Sequence, residues 1–347
     1  MPSKYDKDIQ SYNYEELTSL IESLGEKKFR VKQIYEWIHV KLVSSFDEMT
    51  NLSASFREKL KEDYILSLPE IVRFQESKED GTRKYLFKLR DGNMVETVFM
   101  RYHHGNSVCI SSQVGCAMGC KFCASTLDGL ERSLTPSEML GQIYQVIKHT
   151  GERVSNVVVM GMGEPLTNYD NLVRFIELFT DEHGQNISQR NLTVSTCGIV
   201  PNIIKLADLK LQITLAISLH ATTNDKRKEI MPVANTYSLD KLMDACKYYF
   251  DTTGRRITFE YALIGGVNDT TEDAAALARL AGPLSAHINL IPVNPVVERG
   301  FTAPDISATM AFKNKLEKKR INVTIRREMG RDIDGACGQL RRRHIGG

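Results

Sequence analysis

From residue 107 onward, short apolar runs rich in β-branched residues alternate regularly with helical stretches. The runs fall at 107–112, 156–161, 191–196, 212–219, 256–263 and 286–293. Between them the helical period recurs at 136–149, 170–183, 201–207, 239–250 and 272–280, and a Lys-rich helix follows at 306–319. Strands apolar on both faces, each followed by a helix, demand a parallel sheet with helices outside it. Six units fall short of the eight that close a barrel. The expected fold is therefore α/β: an open, partial (βα)6 barrel. A further strand at 321–327 and a Gly-containing tail extend it.

Upstream the periods differ. Residues 1–65 read as a small helical accessory domain, with Leu17, Leu20, Ile21 and Leu24, then Phe29, Val31, Ile34 and Ile38, at helical spacing. Tyr85, Phe87 and Leu89 alternate, Asp91-Gly92 turns the chain, and 94–100 runs back, a β-hairpin within a 66–101 linker region. The barrel core is assigned to 102–331 and the C-terminal tail to 332–347. On the second hairpin strand Glu96 shares a face with Met94, Val98 and Met100. A lone carboxylate on such a face should be desolvated, and so raised toward the range of a usable base.

Composition narrows the setting. The chain has 347 residues, 42% of them hydrophobic and 25% charged, values ordinary for a globular protein. No apolar run reaches the length of a membrane span, and Met1 to Asp6 lack the apolar stretch of a signal peptide. A cytoplasmic, reducing location is expected. The net charge of +2 is unevenly spread: 313–347 carry 11 Lys and Arg against 4 Asp and Glu, the remainder 34 against 39. A basic end on a mildly acidic body suits a polyanionic partner.

Of seven cysteines, Cys116, Cys120 and Cys123 lie in one loop directly after the first strand of the series. In a reducing setting such a cluster points to metal or redox chemistry. Thiolates select zinc, copper(I) or an iron–sulfur cluster. Structural zinc wants four ligands, commonly two separated Cys pairs, and no second pair exists. Three thiolates without an obvious fourth suit a four-iron cluster whose last iron stays open to a small molecule.

The C-x3-C-x2-C spacing, with Phe122 before the third cysteine, resembles that of the radical S-adenosylmethionine superfamily. Ser111-Ser112-Gln113-Val114-Gly115-Cys116, Gly161-Met162-Gly163-Glu164-Pro165, Ser218-Leu219-His220 and Ala336-Cys337-Gly338 further resemble the dual-specificity RNA adenine-C2 methyltransferases. The resemblance runs from the helical module almost to the end of the chain. It implies methylation of carbon 2 of an adenine in 23S ribosomal RNA, at the peptidyl transferase centre, and of the anticodon-adjacent adenine of certain tRNAs. It implies a [4Fe-4S] cluster on Cys116, Cys120 and Cys123, and S-adenosylmethionine, two molecules per turnover. One molecule methylates Cys337; the other yields a 5′-deoxyadenosyl radical that activates this S-methyl group for addition to the base. Glu96 then matches the proton acceptor, and Cys109 the thiol that resolves the protein–RNA adduct by a transient disulfide with Cys337.

The same resemblance assigns cofactor contacts to Gly163, Glu164, Ser195, Ser218, Leu219, His220 and Asn294. All are expected at carboxyl ends of parallel strands, where barrel enzymes gather ligands. Cys197 and Cys246 match nothing functional and are expected to pack as small hydrophobes. Lys313, Lys315, Lys318, Lys319, Arg320, Arg326, Arg327 and Arg341 to Arg343 are candidates to neutralise phosphates. The implied partners are 23S rRNA, tRNA and a flavodoxin-type electron donor, with no membrane and a monomeric state. The nearest alternative is the homologous adenine-C8 methyltransferase of antibiotic resistance, which shares the cluster, both conversion cysteines and the carboxylate; Pro165 and Val293-Asn294-Pro295 look more like the carbon-2 enzymes. A non-catalytic RNA-binding protein with a structural metal centre would need a fourth ligand. A radical enzyme acting on a protein or metabolite would leave Cys337 without purpose.

Overall fold

The computed structural model describes residues 7–294 and 300–333. Three helices, α1 (Tyr14–Ser23), α2 (Phe29–His39) and α3 (Ala54–Asp63), open the chain. Asn13 and Glu16 form a reciprocal capping box at the start of α1, and Ser53 caps α3. Their apolar faces enclose a core of their own, including Leu17, Ile21, Ile34, Ile38, Phe56 and Leu60. Polar contacts dock it on the rest of the chain: Arg174 pairs with Glu16 at 2.8 Å, and Tyr144 Oη lies 2.9 Å from His39 Nδ1.

Strands β1 (Glu70–Glu76), β2 (Arg83–Lys88), β3 (Met94–Tyr102) and β4 (Gly105–Ile110) follow as an antiparallel meander. A small ribbon, β5 (Gln113–Gly115) with β6 (Leu130–Ser133), brackets the cysteine loop. The chain then runs α4 (Pro136–Thr150), β7 (Val154–Val159), α5 (Tyr169–Thr180), β8 (Leu192–Thr196), α6 (Val200–Asp208) and β9 (Thr214–Ser218). Next come α7 (Asn224–Ile230), α8 (Leu239–Thr253), β10 (Thr258–Leu263), α9 (Thr271–Ala281), β11 (His287–Pro292), α10 (Ile306–Lys318) and β12 (Asn322–Ile325).

Ten strands join one sheet in the order β1-β2-β3-β4-β7-β8-β9-β10-β11-β12, parallel from β4 onward. Strands β4 and β7 to β11 are the six expected barrel strands. Alternate residues such as Val157, Val159, Val194, Leu215, Ile217 and Phe259 enter the core shared with the outer helices. The intervening residues face inward, and these carry the chemistry. The expected hairpin is present as β2 and β3, but it does not stand apart from the barrel: it continues the barrel sheet through β4 and adds β1 outside it. The sequence reading had no strand at 70–76 and no helix at 224–230.

Beyond β12 the chain crosses to the opposite edge of the sheet. Ser77 Oγ and the Lys78 amide donate to the Asp332 carboxylate at 2.5 and 2.8 Å, and the Gly330 amide donates to Asp80 at 2.9 Å. Residues 330–332 are thereby laced to the turn between β1 and β2.

Candidate active site

A cavity of about 1110 Å³ opens inside the sheet, lined from the inner faces and carboxyl ends of its strands. Glu96, Cys109, Cys116, Cys120, Cys123, Gly163, Glu164, Ser195, Ser218, His220 and Asn294 all line it. Leu219 does not: its side chain is fully buried in the core, and its backbone amide donates to the Glu260 carbonyl at 3.0 Å. Any role for Leu219 therefore falls to its backbone. Cys337 and Arg341 to Arg343 lie outside the described residues.

The cysteine loop is shaped by its ribbon. Gly115 has φ +75°, and a Cβ there would run into the Gly129 carbonyl. That carbonyl accepts from the Cys116 amide at 2.7 Å. Thr126 Oγ1 donates to the carbonyls of Cys120 and Cys123, and the Lys121 amide to that of Ile230. Burial pushes the Cys116 thiol up to about 12 and raises Cys120 as well, with the neighbouring thiols adding to both. The protons must leave when metal binds. Among the described residues no three His, Cys, Asp or Glu side chains converge on one ion. Three soft donors spread along one wall fit separate corners of an iron–sulfur cluster better than a single zinc.

Glu164 is fixed beside this loop. Its amide donates to Gln113 Oε1 at 2.8 Å, and its carboxylate accepts the amides of Leu166 at 2.9 Å and Cys197 at 2.7 Å. Burial raises its pKa, and these donors oppose the rise. Gly163, at φ +104°, packs where any Cβ would meet Gln113. His220 also adopts a left-handed φ, +54°. The Ala262 amide donates to its Nδ1 at 2.8 Å, which leaves Nε2 as the protonated nitrogen. Burial lowers its pKa to about 3, so the imidazole is neutral, with Phe122 edge-on at 4.7 Å.

On the opposite wall the expectation for Glu96 needs correction. The carboxylate does not stand alone: Lys84 Nζ lies 3.0 Å from Glu96 Oε2, the two side chains being 0% and 3% exposed. The β2/β3 register sets Lys84 opposite Val98, on the same face and diagonal to Glu96. Cys109 pairs across β3 and β4 with Val98, so it enters the same wall. Burial raises its thiol pKa, against the pull of Arg326 and of the Met160 amide.

Cys246 and Cys197 both pack among apolar residues as expected, Cys197 also lining the cavity and anchoring Glu164 through its backbone amide. Two further residues escaped the sequence reading. Arg227, fully buried, donates to the carbonyls of Cys197 and Leu219 at 2.6 and 3.2 Å and ties the ends of β8 and β9 together. Glu260 is a buried carboxyl facing the cavity from β10. Only the tertiary fold brings these partners together.

An open barrel with three thiols at its mouth and a fixed carboxylate beside them defines a class, and the known proteins agree with it. A family model described as the radical SAM superfamily matches residues 110–278, and one described as the ribosomal RNA large subunit methyltransferase N-terminal domain matches 7–66. The chain is a radical SAM RNA methyltransferase. A probable dual-specificity RNA methyltransferase RlmN of Lachnospira eligens is 64% identical over 338 residues, 97% of each chain. That of Lachnoclostridium phytofermentans is 58% identical, over 96% of this chain and 94% of its own. A solved radical SAM methyltransferase from Sphaerobacter thermophilus superposes with a TM-score of 0.91 at 39% identity, covering 96% of this chain and 98% of that one. The chain belongs to the RlmN family of dual-specificity RNA methyltransferases. Membership brings a [4Fe-4S] cluster and S-adenosylmethionine as cofactors and RNA as substrate. No described helix is long and apolar enough to cross a membrane.

Proposed function

We propose that the protein methylates carbon 2 of adenine in 23S ribosomal RNA and in tRNA beside the anticodon, with Cys337 as methyl carrier. The supporting observation is that Glu96 and Cys109 share one cavity with the three-thiol loop. Cys116, Cys120 and Cys123 would hold the cluster, with Gly163, Glu164, Ser195, Ser218, the Leu219 backbone, His220 and Asn294 around the S-adenosylmethionine. When bound, this pair supplies a methyl group and a 5′-deoxyadenosyl radical.

The protein's own residues do the rest. Carbon 2 is electron-poor and poorly matched to a polar methyl transfer, so the one-carbon unit is delivered from Cys337 as a radical. Glu96 accepts the proton lost from carbon 2 of the resulting adduct, its carboxylate held in place by Lys84 Nζ at 3.0 Å. The unpaired electron of the adduct would return to the cluster. The Cys109 thiol then loses its proton as its sulfur bonds to that of Cys337. The pair of the broken carbon–sulfur bond stays on the carbon unit, which takes up a proton to become the methyl group, and the disulfide frees the methylated base. An external flavodoxin-type donor supplies electrons, and a monomer suffices because every assigned residue comes from one chain.

The test is anaerobic reconstitution with S-adenosylmethionine, reductant and unmodified RNA, followed by mass spectrometry of nucleosides. 2-Methyladenosine from both RNA classes, lost in Cys337→Ala, is the expected result. 8-Methyladenosine would move the protein to the resistance branch of the family, and 5′-deoxyadenosine without methylated RNA would sink the assigned substrate.

A further inference from the structure

Glu260 is a buried carboxyl in the cavity that the chemistry above leaves unused. It is 5% exposed, and it lines the cavity from the middle of β10. A carboxyl group has about four acceptor positions on its two oxygens. Those of Glu260 meet one side-chain donor among the described residues, Asn289 Nδ2, shared at 3.2 Å by both oxygens. Asn289 is itself held from behind, its Oδ1 accepting from Thr324 Oγ1 at 3.2 Å. The register aligns Glu260, Asn289 and Thr324 across β10, β11 and β12. Glu164 shows the contrast, with a backbone amide on each oxygen. A buried carboxyl with spare acceptors is costly unless something else supplies donors, and what Glu260 faces is the cavity.

Its charge neighbours say which part of the cavity. Arg326 lies near enough to lower the pKa of both Glu260 and Cys109. The thiols of Cys116 and Cys120 instead feel Glu164. Glu260 thus shares Arg326 with Cys109, the thiol of the reacting wall, while its register partner on β9 is Ser218.

We infer that Glu260 reads the target base, its carboxyl accepting a hydrogen bond from the exocyclic amine of the adenine. This rests on the adenine reading proposed above. Adenine presents an amine donor beside the N1 acceptor, and guanine presents the reverse, an acceptor O6 beside an N1–H donor. With a proton, the carboxyl offers acceptor and donor side by side, which matches the adenine edge and not that of guanine. Burial raises the Glu260 pKa in that direction. N1 is also bonded to carbon 2, so a hydrogen bond donated there draws electron density from the reacting carbon. Enzymes that act on an extruded base commonly read this edge.

The experiment compares two RNA fragments on the reconstituted holoenzyme, one with adenosine at the target and one with purine ribonucleoside, which keeps the carbon-2 hydrogen and lacks the amine. The wild type should favour adenosine by about tenfold or more in kcat/KM, since a site built for a donor rejects the analogue without it. Glu260→Leu should slow on adenosine and lose the preference, whereas Glu260→Gln, with an acceptor and a donor in place, should keep it. Melting temperature and 5′-deoxyadenosine formed without RNA separate misfolding from lost recognition. Equal wild-type rates on the two RNAs overturn the inference whether or not Glu260→Leu folds. So does a preference that survives in Glu260→Leu, and loss of S-adenosylmethionine binding in that variant by equilibrium dialysis would give the carboxyl to the cofactor instead. A wild type that methylates neither RNA overturns the proposed function along with it.

Discussion

Lys84 and Glu96 are opposite charges 3.0 Å apart and shielded from water. Removing one partner of such a pair leaves a buried charge and costs about 3–5 kcal/mol, whereas replacing both is far milder. Lys84→Met should therefore unfold at markedly lower urea concentration than the wild type, and Lys84→Met with Glu96→Gln should recover most of that loss. A double variant no more stable than Lys84→Met would show that the pair is not coupled. Both variants should methylate poorly, the double one because it lacks the proposed acceptor. Sequence spacing placed Glu96 on a Met/Val face that does line the cavity through Val98 and Met100. It could not reveal Lys84, whose approach depends on the pairing of β2 with β3. Glu260 was hidden for a similar reason: within an apolar strand it reads as an interruption until its neighbours on β11 and β12 are known.

Two elements carry predictions of their own. The β5/β6 ribbon sets the cysteine loop, and Gly115→Ala forces a side chain against the Gly129 carbonyl at a left-handed φ. That variant should fold its barrel, seen by circular dichroism, yet take up little iron on reconstitution; full iron content would refute the ribbon's role. At the end of α2, burial lowers the His39 pKa to about 3 while Tyr144 Oη lies at its Nδ1. The folded state keeps this ring neutral, but the unfolded chain binds a proton below about 6.5. Stability is thus complete above that value and falls as pH drops toward 3, by about 2 kcal/mol at pH 5 from this one group. Denaturant unfolding of His39→Gln should show a shallower decline between pH 6.5 and 5. The regular βα alternation was legible because long apolar runs separate strand from helix by period alone. β1 was not, since none of its residues is buried and no alternation marks it. The seven-residue α7, mostly polar, was equally silent.

Across the whole molecule, charge is concentrated where the cavity opens. Arg326, Arg327 and Arg331 line it just beyond the carboxyl end of β12. Each phosphate neutralised contributes roughly −0.9 to the slope of log affinity against log salt for a duplex, and about −0.7 for a single strand. Arg326→Gln with Arg327→Gln should weaken RNA binding and flatten that slope by one to two, measured by filter binding across salt concentrations. An unchanged slope would place these side chains away from the phosphates. The lacing of residues 330–332 onto the β1/β2 turn bears on the proposed methyl carrier in another way. Ile333 lines the cavity, and Cys337 follows it by four residues, a span of at most about 14 Å. The chain is thus a short leash whose fixed end stands at the cavity wall. On the proposed mechanism, a thiol within that span would meet Cys109 at an effective concentration on the order of millimolar, enough to compete with added small thiols for the proposed disulfide. Asp332→Ala, which lengthens the leash without touching either sulfur, should slow turnover and let added small thiols intercept the disulfide.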